Sequence, residues 1–137
     1  MKLVIFTDGA SSGNPGPMGL GIVIYKGAKM IGEHSLFAGK GTNNMAEYLA
    51  VIKALEAAKK LKASEVHVKS DSQLLVRQLS GEYRVKNAKL KPLKAKVDRL
   101  CKKMKVFFEH VSREKNKEAD KLSKDAIKRH RKRMKKK

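Results

Sequence analysis

Acidic residues are scarce in this chain: 13 Asp and Glu stand against 33 Lys and Arg among 137 residues. Cysteine is almost absent, and the single Cys101 cannot form an internal disulfide, which suits a reducing cytoplasm. Long apolar runs are missing too. A membrane-spanning helix needs about 20 consecutive apolar residues, whereas Leu3 to Phe6 and Ile22 to Tyr25 are strand-sized. The N-terminus opens directly into such a run and then Asp8, so no signal peptide is expected. No internal repeat or interdomain linker interrupts the chain. One domain of ordinary size, with room for a real core, is expected.

What remains is a net charge of +20, which asks for a polyanionic partner, nucleic acid before an anionic membrane surface. Residues 1–50 hold four Lys and three acids and net +1, so the other 87 carry +19. The last ten, Lys128 to Lys137, hold eight Lys or Arg and no acid, which leaves +12 on residues 1–127. A basic tail alone is as readily a solvated appendage as a binding device. It does not account for the basic middle, where Lys86, Lys89, Lys91, Lys94 and Lys96 crowd together.

Lys2 to Asp8 reads as a mostly buried strand, and Gly9 to Gly19 as a loop punctuated by Gly, Ser, Asn and Pro. Gly21–Tyr25 and Met30–Phe37 read as strands around a turn at Lys26–Lys29. Asn44 to Leu61 is expected to be a helix, with Met45, Tyr48, Ile52 and Leu55 on one face and Asn44 as N-cap. Strand Glu65–Ser70, a short helix Ser72–Leu79, a helix from Pro92, strand Val106–Phe108 and a helix from Asn116 to about Arg129 follow. The expected fold class is α/β: a mixed five-stranded sheet, three antiparallel strands and then two parallel ones, flanked by helices. Residues 1–127 form the domain, and 128–137 form a basic tail that extends the last helix or is disordered.

Because acids are few, their positions are informative. Asp8 ends the first strand and Asp71 the fourth, so parallel neighbours would place both at one sheet edge. Glu47 and Asp120 lie in the first turns of the two long helices. Four clustered carboxylates raise one another's pKa. A pair of divalent cations removes that conflict and can activate water and stabilise a leaving oxygen. Hard oxygen donors suit Mg²⁺. Each acid also has a plainer role: Asp8 starting a turn, Glu47 closing a capping box with Asn44, Asp71 capping the short helix, Asp120 pairing with Lys124.

Four segments then carry a resemblance: Thr7-Asp8-Gly9-Ala10-Ser11 with Gly13-Asn14-Pro15-Gly16; Thr42-Asn43-Asn44-Met45-Ala46-Glu47; Ser70-Asp71-Ser72-Gln73; and Asn116-Lys117-Glu118-Ala119-Asp120-Lys121-Leu122. In order and spacing they resemble type 1 ribonuclease H, in the compact form found in archaea and bacteria, over roughly residues 1–127. The resemblance implies the ribonuclease H-like fold and endonucleolytic cleavage of the RNA strand of RNA–DNA hybrids, with 5′-phosphate and 3′-hydroxyl ends. It implies two Mg²⁺ (Mn²⁺ as an alternative) on Asp8, Glu47, Asp71 and Asp120. It also implies hybrid contacts at Gly9, Asn14, Thr42, Asn43, Asn44 and Gln73, the amides of Asn43 and Gln73 near RNA 2′-hydroxyls. Asn14 and Thr42 would grip a phosphate of the DNA strand.

The stretch from Tyr83 to Pro92 is too short for the extra basic helix of larger relatives. The family's mobile histidine has two candidates here, His110 and, in its place, Arg113. A cytoplasmic monomer is expected, with no membrane association and with double-stranded RNA open as a further substrate. Two other readings stay open: a non-catalytic basic nucleic-acid-binding module, and a relative of the same fold acting on DNA, such as an integrase or transposase core. The first would be free to lose one acid of the set, and none is missing. The second is disfavoured by the hybrid-contact segments.

Overall fold

The structure, a computed structural model, describes residues 1–135. Strands β1 (Lys2–Ser11), β2 (Gly16–Lys26) and β3 (Lys29–Gly41) form an antiparallel meander. Helix α1 (Asn43–Lys60) leads to β4 (Glu65–Ser70), which pairs in parallel with β1. Helices α2 (Gln73–Leu79) and α3 (Lys91–Cys101) precede β5 (Lys105–His110), parallel to β4. A 3-10 turn, Arg113–Asn116, delivers α4 (Lys117–Lys135). The sheet order is β3-β2-β1-β4-β5, the expected mixed architecture. Among the described residues no helix is long and apolar enough to cross a membrane.

Alternation along the strands sorts side chains between the two faces. Leu3 and Ile5 of β1, Ile22 and Ile24 of β2, and Val66 and Val68 of β4 meet Tyr48, Val51, Ile52 and Leu55 of α1 in the main core. Helix α4 lies on the opposite face, against β2 and β3.

Three sequence expectations are corrected, each with a physical reason. The loop expected over Gly9–Gly19 shrinks to Ser12–Pro15, because β1 and β2 stay paired through Gly9–Leu20, Ala10–Gly19 and Ser11–Met18. The glycines serve close packing here. A Cβ on Gly9 would stand 2.2 Å from the Ala46 carbonyl group of α1. On Gly19 and Gly21 it would stand 1.9 Å from the Ser123 and Ala119 carbonyl oxygens of α4. The helix cap is Thr42, not Asn44: its Oγ1 accepts from the Met45 amide at 3.2 Å, so Asn43 and Asn44 already belong to the first turn. The last helix begins at Lys117 and continues past Arg129 through Lys128–Lys135 without a break. Lys136 and Lys137 of the basic tail lie outside the described residues.

Between α2 and α3 the chain is irregular, with no additional helix.

Gly21→Ala tests the packing argument. Its methyl group meets backbone, which cannot rotate away, so α4 must move off the sheet. Overpacking of this kind costs about 1–3 kcal/mol. A thermal melt is expected to show a drop of several degrees. An unchanged melting temperature would show that α4 shifts freely.

Candidate active site

Asp8 stands in β1 opposite Gly21, so it starts no turn. The register of β1 with β4 ends at Phe6–Lys69, and two residues further on come Asp8, still in β1, and Asp71, just past the end of β4. Parallel pairing therefore puts both carboxylates at one sheet edge. Gly9 lets the first turn of α1 touch β1, and this brings Glu47 alongside. Oxygens of Asp8, Glu47 and Asp71 all lie within 4.8 Å of one another. Asp8 is only 8% exposed, while Glu47 and Asp71 are half-buried.

Asp120 comes from the first turns of α4. It lies outside that triad but close enough to the Asp8 carboxyl to help raise its pKa. Its own Oδ2 accepts from Lys124 Nζ at 3.1 Å. The plainer roles weighed for the other acids fall away. Ser72, not Asp71, caps α2, accepting from the Leu75 amide at 3.2 Å. With Thr42 as cap, Glu47 no longer occupies the capping-box position.

Three polar side chains that sequence reasoning did not single out hold the acids. Asn116, fully buried, donates from Nδ2 to the Thr7 carbonyl at 2.9 Å and to Asp71 Oδ2 at 3.4 Å. Its Oδ1 is buried without a protein partner. The Ser123 hydroxyl lies 3.1 Å from Asp8 Oδ2 and 2.7 Å from the Asp120 carbonyl oxygen. Ser72 hydrogen-bonds Glu47. Ser123 was findable: it falls three residues after Asp120, on the same helix face, in a stripe of small residues with Ala119 and Ala126.

The electrostatics follow from burial and crowding. The Asp8 pKa is pushed up to about 8, first by burial and then by Asp71, Glu47 and Asp120. Glu47 rises to about 7, mainly through burial, with the Ser72 hydrogen bond opposing and Asp71 reinforcing. No Lys or Arg forms an ion pair with Asp8, Glu47 or Asp71 among the described residues. An all-oxygen donor set of this density, without its own counter-charge, fits a hard divalent cation.

Of the expected contact residues, Asn14, Asn43, Asn44 and Gln73 are exposed. Asn14, whose peptide bond to Pro15 is cis, accepts through Oδ1 from the Asn43 amide at 3.3 Å. Asn43 Oδ1 in turn accepts from the Ser11 amide at 3.0 Å, so the two turns interlock. Thr42 caps α1, Asn44 is exposed in its first turn, and Gln73 opens α2. Gly9 is buried under α1. His110 ends β5 opposite Ser70, one residue from Asp71, and is exposed. Arg113 is exposed at the start of the 3-10 turn. Neither side chain hydrogen-bonds any of the four acids.

Residues 6–126 match the family described as reverse transcriptase-like. A ribonuclease H1 of the halophilic archaeon Halobacterium salinarum superposes with a TM-score of 0.90 at 34% identity, over 93% of this chain and 98% of that one. The chain belongs to the type 1 ribonuclease H family. A ribonuclease H1 isolated from compost, solved in complex with an RNA/DNA hybrid, superposes with a TM-score of 0.89 at 40% identity, over 93% of this chain and 98% of that one. A bifunctional protein of Mycobacterium tuberculosis is 40% identical over 130 residues; the match takes in 93% of this chain but spans only 36% of that relative's length. The ribonuclease H fold expected from the sequence is thus the fold observed.

The raised Asp8 pKa makes a stability prediction. Below about pH 4 the carboxyl is protonated in folded and unfolded chains alike, with no penalty. Between that pH and about 8 the metal-free native state binds the extra proton, so stability falls as pH rises. Asp8→Asn removes the group. In EDTA its melting temperature is expected to match the wild type near pH 4 and to exceed it by several degrees at pH 8. Added Mg²⁺ should raise the wild type far more than the variant. Equal melts across the whole pH range would remove the claim of repulsion.

Proposed function

We propose that this chain is a metal-dependent endonuclease that hydrolyses the RNA strand of RNA–DNA hybrids. The products would carry 5′-phosphate and 3′-hydroxyl ends. The observation that carries the reading is the Asp8–Glu47–Asp71 cluster, a pocket of acid with no counter-charge on a chain of net charge +20. In a protein whose surface attracts phosphates, such a pocket repels the substrate unless cations occupy it. Asp8, Glu47, Asp71 and Asp120 would hold two divalent ions, Mg²⁺ first and Mn²⁺ second. Bound there, such ions polarise a scissile phosphate and lower the pKa of attacking water.

The chain's own groups do the rest. Asn116 and Ser123 fix the Asp71 and Asp8 carboxylates, so they need not reorganise when substrate arrives. The interlocked Asn14 and Asn43, with Thr42, Asn44 and Gln73, form the amide- and hydroxyl-bearing rim suited to ribose hydroxyls and backbone phosphates. His110 and Arg113, on the Asp71 side, are the alternative candidates for a group that assists proton transfer or product release. The hybrid-bound compost enzyme, similar over nearly the whole chain, supports the choice of substrate.

Incubation with end-labelled hybrid, duplex DNA and duplex RNA, each with Mg²⁺, Mn²⁺ or EDTA, tests the proposal. Hybrid should be cut with either metal and untouched in EDTA. Binding without cleavage under every condition would favour a non-catalytic nucleic-acid-binding module, and cleavage of duplex RNA would widen the substrate class. Asp71→Asn should lose turnover while still binding hybrid, because an amide is a poor ligand for a hard cation; full activity would remove Asp71 from the metal site.

The two proton-transfer candidates should separate in single-turnover assays. His110→Ala or Arg113→Ala, but not both, is expected to slow the chemical or release step with hybrid affinity kept. Acid–base assistance is typically worth about 10²–10⁴-fold. Small and equal effects would leave proton traffic to solvent.

A further inference from the structure

Beyond Asp120, α4 continues with an outer side that is almost wholly basic. Lys124, Lys128, Arg131 and Lys135 follow steps of four, three and four, and all are exposed, so they form one ridge. The neighbouring flank of the helix is docked on β3. Arg129 Nη2 donates to the Ser35 carbonyl at 2.7 Å, and the Ser35 hydroxyl donates to the Leu122 carbonyl at 2.5 Å. The His130 ring stacks on Phe37 with centroids 3.9 Å apart and planes 7° from parallel. Arg131 donates to the Ser12 hydroxyl in the β1–β2 turn. The basic segment is therefore a fixed part of the domain surface rather than a solvated string.

Its direction matters. Helix α4 crosses Gly21 at Ala119 and Gly19 at Ser123, and those glycines stand opposite Asp8 and Ala10. The helix thus runs from the acids out along β1, toward the Ser12–Pro15 turn that carries Asn14. At a rise of about 1.5 Å per residue, the ridge from Lys124 to Lys135 is about 16 Å long, enough to pass several phosphates of one strand. Between ridge and turn lies a cleft of about 230 Å³, lined by Ser11, Ser12, Lys124, Ile127, Lys128 and Arg131. Lys124 is paired with Asp120, whereas Lys128 and Arg131 form no ion pair among the described residues.

We infer that this cleft and ridge are a phosphodiester-binding track, which grips the nucleic-acid backbone where it leaves the acidic site. The inference rests on the nuclease reading for the identity of its ligand, and it adds a place and a set of residues. Lys128 and Arg131 would supply affinity without touching the chemistry, because both lie beyond the acids. Neutralising Lys128 and Arg131 should release two fewer counterions on binding. The slope of log affinity against log salt should then flatten by about 1.8, at about 0.9 per phosphate contact.

The test is fluorescence anisotropy with a labelled hybrid in EDTA over a salt titration, followed by turnover at saturating hybrid with Mg²⁺. Three variants of the full chain are compared. Lys128→Gln with Arg131→Gln removes the track. Lys59→Gln with Lys60→Gln removes the same charge at the far end of α1. Ser12→Ala cuts the Arg131 hydrogen bond and keeps the charge. The first pair should flatten the slope and raise the apparent substrate constant with saturated turnover unchanged; the other two should keep the wild-type slope. A wild-type slope in the first pair overturns the inference. So does equal flattening by the Lys59 and Lys60 pair, which would mean diffuse net charge, or by Ser12→Ala, which would mean helix docking alone. A wild type that binds with the predicted slopes and cuts nothing would sink the nuclease reading and leave the track standing.

Discussion

Repulsion among Asp8, Glu47, Asp71 and Asp120 is the force that the rest of this fold is arranged to withstand. Parallel pairing of β1 and β4 places two of the acids side by side, and the helices that carry the others are pressed against the sheet where a side chain would block them. Three of the acids then have a neutral hydrogen-bond partner: Ser123 for Asp8, Ser72 for Glu47, Asn116 for Asp71. Neutral donors hold position without cancelling charge. A lysine at any of these places would stabilise the metal-free protein and compete with a cation; Lys124 instead stands at the rim, paired with Asp120.

The remainder of the molecule supplies rigidity and attraction. The apolar layer of β1, β2 and β4 under Tyr48, Val51, Ile52 and Leu55 anchors α1, whose first turn is the side of the site. On the proposed reading, basic charge elsewhere would draw a polyanion toward this acidic cluster. Cations in the pocket would remove the short-range repulsion, so on the proposed reading metal occupancy would strengthen nucleic-acid affinity.

Much of this was legible in the sequence because acids are rare in it. Asp8 and Asp71 close apolar runs, and the order of strands and helices makes those runs neighbours, so the triad could be assembled before any coordinates. The glycines were misread. In a single sequence Gly9, Gly19 and Gly21 look like loop punctuation, since nothing local reports that Ala46, Ala119 and Ser123 will press on them from far along the chain. The cap was displaced from Thr42 to Asn44 because Thr42, Asn43 and Asn44 all have capping side chains, and only backbone geometry selects among them. The docking of the basic helix end was invisible for the same reason as the glycine contacts. Phe37 and His130 stack across 93 positions of chain, and neither residue belongs to a recognisable pattern.

The glycine contacts have an engineering consequence. Gly9 and Gly21 adjoin or face Asp8, so the places where helices touch the sheet most closely are also the places that aim the carboxylates. No bulkier residue fits there without moving a carboxylate. Stability and site geometry are therefore not separate variables in this part of the molecule, and a library selected for heat resistance should find its gains elsewhere. The edge strand β3, the irregular stretch between α2 and α3 and the outer turns of α3 are the surfaces that remain adjustable.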